Sequence, residues 1–209
     1  MRKSFYFIVS VLFGVLFFLA SCSETNEEDR FVNWQARNQH YLDSIVNLAQ
    51  KNASGEWKIF KSYTLPPDNP NDINISTDPL DYIYVKVLES GTGTMQVGYQ
   101  DTVRVHYRGK LINDDVFDQS YKGALKPESA VPSKFGVSSL INGWTTVLQQ
   151  MREGDRWEIF IPWSLAYGPG MMAGSSATIL DYSVLHFDLQ LVKVYPWDEY
   201  ADKPIPDWK

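Results

Sequence analysis

The chain has 209 residues, 44% of them hydrophobic and 14% aromatic, with a formal charge of -6. That length predicts one compact domain with appendages. The balance of 17 basic against 25 acidic residues beyond position 21 argues against nucleic-acid binding. One cysteine, Cys22, precludes a disulfide within the chain, and His40, His106 and His186 lack ligand spacing, so neither a metal nor a cofactor is expected.

Residues 1–21 read as a signal peptide: Arg2 and Lys3 precede the apolar run Phe5 to Leu19, and Ala20-Ser21 lead into Cys22. The run is shorter than the roughly 20 residues a membrane-spanning helix needs. Leu19-Ala20-Ser21-Cys22 resembles a bacterial lipobox, which implies acylation of Cys22 and a protein held on a membrane of the bacterial envelope rather than spanning it. An outer-membrane location is expected, on the periplasmic or the surface side. Residues 22–30 would be a solvated acidic tether.

Residues 31–54 carry Phe31, Trp34, Tyr41, Ile45 and Leu48 at near-helical spacing and predict one amphipathic helix that stops near Gly55. Its apolar face can pack on the following domain, the preferred reading, or form a weak dimer with a second copy. Residues 55–80, dense in proline and asparagine after Leu65, are expected to be a linker or surface loop.

From residue 81 to 195 the period becomes alternating, the mark of antiparallel strands. Tyr82 to Leu88 is one strand. Thr102 to Tyr107 is a half-buried one, with Val103, Val105 and Tyr107 inward and Arg104 and His106 outward; His186 is also read as outward. Asn142 to Met151 has helical spacing and reaches a glycine stop at Gly154. Trp157, Ile159 and Ile161, then Leu185 to Leu191, complete an antiparallel α+β domain. The tail 196–209, with Trp197, Tyr200 and Trp208, is expected to dock on a neighbouring surface.

The chain has no Gly-x-Ser-x-Gly elbow, and Gly168, Gly170 and Gly174 do not make a phosphate loop. Five other segments are informative together. They are Val105-His106-Tyr107-Arg108-Gly109, Phe117-Asp118-Gln119-Ser120, Gly136 to Trp144, Leu165-Ala166-Tyr167-Gly168 and Ser183 to Leu189. In order and spacing they resemble the FKBP-type prolyl isomerases over about residues 81–195. The resemblance implies a half-barrel of antiparallel strands wrapped around one short helix, with an apolar pocket that takes a proline ring.

Tyr107, Asp118, Ile141 and Tyr167 fall on that family's catalytic positions, and Phe117, Leu140, Trp144 and Phe187 on its substrate-binding positions. By the same resemblance Trp144 is the floor and Phe117 and Phe187 are walls. The Ile141 N–H and Tyr167 hydroxyl hold substrate carbonyls, and Asp118 accepts hydrogen bonds. The chain departs from many relatives in having Val131 and Ser133 where an aromatic wall residue is common, which implies a thinner wall or one supplied from elsewhere. The segment 169–178, in which Met171 and Met172 are expected to cap the cleft, is longer than in the smallest relatives, and 119–134 is a long connection suited to substrate choice. Two functions fit: an isomerase acting on proline-containing polypeptides of the envelope, or a non-catalytic client-binding chaperone on the same fold.

Overall fold

The computed structural model describes residues 30–67, 76–170, 172–173 and 177–207, with only the backbone at 172–173. The expectations for the signal peptide, Cys22, the tether before Arg30, Met171, the Met172 side chain and Trp208 lie outside the described residues. The chain divides into two units, 1–32 and 33–209.

Helix α1 spans Trp34–Lys51. It buries Trp34, Asn38, Leu42, Ile45 and Ala49 at intervals of three and four, the stripe that a period of 3.6 places on one side. This stripe is rotated from the expected one: Leu48 is exposed, Tyr41 lies at the margin, and a polar residue, Asn38, sits in the middle. The face packs on Tyr84, Phe160 and Val184 of its own domain. Each fully buried aliphatic or aromatic side chain there contributes about 1.5–3 kcal/mol. Asn52 ends the helix in the left-handed region, φ 41°, where asparagine is better tolerated than most residues. Its side chain then accepts from Trp57 N at 2.9 Å and donates to Trp57 O at 3.1 Å, delivering the chain into a strand.

That strand, β1 (Trp57–Lys61), corrects the reading of 55–80 as linker. It pairs antiparallel with β2 (Tyr82–Glu89), and Phe60 stacks on Trp157 at 5.9 Å. The remaining strands are β3 (Thr102–Lys110), β4 (Val116–Gln119), β5 (Ser133–Gly136), β6 (Arg156–Ile161), the short pair β7 (Met172–Ala173) and β8 (Thr178–Ile179), and β9 (Leu185–Tyr195). The main sheet runs β1-β2-β6-β9-β3-β4, with β5 also on β3, and every pairing is antiparallel. Helix α2 (Asn142–Leu148) lies on the inner face, buried from Gly143 to Leu148. It is shorter than expected, and the chain turns through Gln149 before Gly154 takes φ +95°. The fold is therefore the expected α+β type, an antiparallel sheet around one short helix, preceded by an amphipathic helix.

Registers Val105↔Leu191, Tyr107↔Leu189, Gly109↔Phe187 and Ile159↔Phe187 put one set of side chains on the inner face. The outer face is also covered, which corrects the expectation of a half-buried β3 with outward His106. Arg104 donates from Nη2 to Pro206 O at 2.8 Å, and His106 is 1% exposed beneath the Tyr121 ring. His186 is half-buried, stacked on Phe160 at 4.5 Å with Glu158 at 3.4 Å. The tail, which contains α3 (Trp197–Tyr200), is tied to the domain through backbone and Tyr200: Trp197 N donates to Asp101 Oδ1 and Tyr200 meets Tyr195 edge-on, while the Trp197 ring, expected to dock, is 51% exposed. A strand looks half-buried by alternation alone, but tails and loops distant in sequence can cover its second face.

Candidate functional site

The inner face opens at one end into a hollow of about 220 Å³. It is lined by Tyr107, Phe117, Asp118, Phe135, Ser139, Leu140, Ile141, Trp144, Tyr167 and Phe187. All eight pocket residues read from the sequence are thus brought together. Strand β3 contributes Tyr107, β4 contributes Phe117 and Asp118, α2 contributes Trp144, and β9 contributes Phe187. Leu140 and Ile141 form the bend into α2, and Tyr167 follows the turn Trp163–Leu165 beyond β6.

The aromatic rings hold one another edge to face. Trp144 meets Tyr107 at 5.3 Å, Phe187 at 5.2 Å and Phe135 at 5.9 Å, all within a few degrees of perpendicular. Phe117 meets Phe187 at 5.3 Å, and Phe135 meets Tyr107 at 5.7 Å. Each such pair adds about 0.5–1.5 kcal/mol beyond the area it buries, so the cluster is preformed before anything enters. The Trp144 Nε1 is buried with no hydrogen-bond partner among the described residues, a cost of about 1–3 kcal/mol that the fold accepts at this site.

One acid borders this apolar surface. Tyr107 donates its hydroxyl to Asp118 Oδ2 at 2.8 Å, and Gln119 N donates to Asp118 Oδ1 at 2.9 Å. The backbone behind them is fixed as well, because Tyr107 N donates to Ser120 Oγ and Ser120 N donates to Tyr107 O, each at 2.9 Å. Burial, and next the hydrogen bond to Asp118, push the Tyr107 phenol well above its ordinary range. Burial, followed by the charge of Asp118, raises that of Tyr167. Both phenols therefore stay protonated donors at neutral pH. Tyr167 is 38% exposed and stands at the rim, as does Ile141. Ile141 precedes the first turn of α2, so its own N–H lies outside the helical hydrogen-bond ladder.

Two lining residues escaped the sequence reading, Phe135 and Ser139. The wall expected at Val131 or Ser133 comes instead from Phe135, since Val131 is 67% exposed. Phe135 pairs with Val103 and Ser133 with Val105, so the two share the inward face of β5 and an aromatic two positions later serves. The period of two is the available signal, but β5 has only four residues and begins inside 119–134, the stretch expected to be a connection. Among the described residues no cluster of His, Cys, Asp and Glu is placed to hold a metal, and no helix is long and apolar enough to cross a membrane.

Comparison with known proteins agrees with this geometry. Residues 93–192 match the family described as FKBP-type peptidyl-prolyl cis-trans isomerase. The chain is 41% identical over 104 residues to the macrophage infectivity potentiator of Trypanosoma cruzi, a stretch covering 50% of this chain and 48% of that protein. It is 40% identical over 109 residues to the outer membrane protein MIP of Legionella longbeachae, covering 52% and 42% respectively. The chain thus spans about half the length of these curated relatives. A solved peptidyl-prolyl cis-trans isomerase from Pseudomonas syringae superposes with a TM-score of 0.51 at 27% identity, over 76% of this chain and 96% of that one. Fold, pocket and sequence match converge on one assignment: the domain that contains residues 93–192 belongs to the FKBP-type peptidyl-prolyl cis-trans isomerase family.

Proposed function

We propose that the protein catalyses cis/trans isomerisation of Xaa-Pro bonds in polypeptides of the bacterial envelope, held to a membrane there through acylated Cys22. The observation carrying the isomerase reading is the preformed aromatic hollow with one hydrogen-bonded acid at its edge. At about 220 Å³ it is smaller than the roughly 300–1,000 Å³ of pockets for drug-sized ligands, and it suits one ring of a larger chain.

The chemistry asks for no nucleophile. Rotation is slow because the peptide bond loses resonance on twisting, a barrier of about 18–20 kcal/mol, and each 1.36 kcal/mol removed is about tenfold in rate. Catalysis follows if the pocket binds the twisted amide better than either planar isomer. The planar amide is the more polar form, so exchanging water for the faces and edges of Trp144, Phe117, Phe187 and Phe135 disfavours it relative to the twisted one. The proline ring lies on Trp144. The Ile141 N–H and the Tyr167 hydroxyl, both at the rim, hold substrate carbonyls on either side of the turning bond. Asp118 takes no proton: its role is to hold Tyr107, and with it the wall, in place.

The test is Xaa-Pro exchange measured by NMR on short peptides, with wild type, Trp144→Leu and Tyr167→Phe compared. The expected result is catalysis by wild type, a loss of at least tenfold on removing the floor, and a smaller loss on removing the Tyr167 hydroxyl, with folded spectra throughout. A folded wild type that binds proline peptides without accelerating exchange would leave the client-binding chaperone instead. The envelope placement rests on the lipobox and on likeness to a protein named for the outer membrane. Mass spectrometry of the N-terminal peptide checks it, since an unacylated, uncleaved Cys22 in the bacterial membrane fraction would rule out this anchor.

A further inference from the structure

The loop that carries Tyr167 is held from outside the family-matched segment. Tyr167 sits between two amides, Ala166 N and Gly168 N, which both donate to Trp163 O, at 3.1 and 2.8 Å. The position of Trp163 therefore sets that of Tyr167. The Trp163 ring meets the Tyr182 ring edge-on at 5.0 Å, and the adjacent Ser164 Oγ donates to Leu80 O at 2.6 Å.

Tyr182 has φ 58°, a left-handed conformation that costs a bulky residue about 1–2 kcal/mol and persists only where the surroundings enforce it. One restraint is local, since Ser183 Oγ donates to Leu180 O at 2.6 Å, and the others come from α1. Trp34 Nε1 donates to Ser183 Oγ at 3.0 Å, and Val184 N donates to Asn38 Oδ1 at 2.8 Å. Asn38 Nδ2 is itself fixed on Trp34 O at 2.9 Å, and Asn38 and Ser183 are 1% and 3% exposed. Between α1 and this turn a hollow of about 330 Å³ is bordered by Asn38, Leu80, Trp163 and Tyr182. Val184 joins the apolar cluster of α1, and the buried hydrogen bonds fix the direction of the turn beside the hollow.

We propose that α1 is a brace for the Tyr167 loop, with Asn38 and Trp34 as positioning residues that act through the Tyr182–Val184 turn and Trp163. The catalytic part of this inference rests on the isomerase reading of the pocket. The brace itself is a statement about one loop and can be read without activity. Its consequence is that residues well before the family-matched segment set how firmly the rim hydroxyl is held.

The experiment uses the full chain in detergent, as wild type, Asn38→Ala and Trp34→Phe. Hydrogen–deuterium exchange of segment 163–168 is followed beside segments from β3 and β9, and kcat and KM are measured alone and in a Tyr167→Phe background. Asn38→Ala is expected to speed exchange in 163–168 and at Val184 by tenfold or more while β3 and β9 keep wild-type rates. It should raise KM several-fold, and that effect should vanish once the Tyr167 hydroxyl is absent. Trp34→Phe removes one hydrogen bond and keeps an aromatic, though smaller, ring, and should give the same pattern in weaker form; it is the deciding variant if Asn38→Ala does not fold.

Unchanged exchange in 163–168 after protection at Val184 is lost would overturn the brace. So would equal acceleration in β3 and β9, which marks a general loss of stability. An inactive wild type with the exchange pattern intact would sink the isomerase reading and leave the brace standing.

Discussion

Gly109 shows how one residue sets the dimensions of the pocket. A Cβ built there would lie 2.5 Å from Phe117 Cζ and 2.6 Å from Phe187 Cε1, so the two wall rings rest directly on backbone. The strand cannot retreat, being paired to Asp118 on one side and Phe187 on the other. Gly109→Ala must therefore push the rings toward the cavity or strain β3, at a cost of about 1–3 kcal/mol for overpacking. If the rings yield, KM should rise more for peptides with a six-membered ring in place of proline than for those with a four-membered ring. A uniform loss for all ring sizes would mean that only stability had changed. Removing the Tyr107 hydroxyl is the complementary case: Tyr107→Phe should lower the unfolding free energy by about 1 kcal/mol or somewhat more and weaken catalysis, which denaturant titration and peptide exchange can measure together. At this scale much was legible, because Tyr107, Phe117, Asp118, Trp144 and Phe187 stand in motifs whose order survives without structure. Phe135 was not, since its strand has four residues and its partner Val103 is about thirty positions away.

At the scale of elements, α1 and β1 convert an appendage into part of the fold. Alternation in β2, β6 and β9 revealed the inner face, but the outward residues Tyr84 and Phe160 only make sense once a helix covers them. Helical spacing announced that helix and misplaced its stripe, because Asn38 looks like a solvent residue until Val184 supplies a donor for it. β1 was unreadable as a strand because Trp57-Lys58-Ile59-Phe60-Lys61 abuts a proline-rich segment and its pairing partner lies about twenty-five residues ahead. If these elements belong to the cooperative unit, Leu42→Ala, at a side chain 1% exposed, should cost about 2–5 kcal/mol and shift one single transition. Chemical denaturation monitored by tryptophan emission and by far-ultraviolet dichroism should give coincident curves. An early, separate loss of helix would show that α1 unfolds on its own.

The whole molecule carries a pH dependence with two windows, both located on the outer face that the sequence left open to solvent. His106 is buried and its imidazole is held below its ordinary value by burial, so the neutral form is favoured in the fold. The unfolded chain binds a proton at about pH 6.5 and the folded chain only lower, so stability is full above about 6.5 and declines as pH falls below it. A second window lies lower. Burial pushes the Asp188 carboxyl up, but the Arg156 guanidinium, with hydrogen bonds of 2.9 and 2.7 Å, outweighs burial and holds it below its usual range. The His186 imidazole, whose Nε2 lies 3.4 Å from the carboxylate, likewise outweighs burial and holds Glu158 below its usual range. These two contribute stability above roughly pH 4, the ordinary carboxylate range, and lose it as pH falls through their depressed values. Melting temperature should therefore decline in two steps between pH 8 and pH 3. His106→Phe, which keeps an aromatic beneath Tyr121, should flatten the upper step and leave the lower one; Asp188→Asn should lower stability at neutral pH and shrink the lower step. An upper step of unchanged size in His106→Phe would assign it to another group and remove His106 as its source.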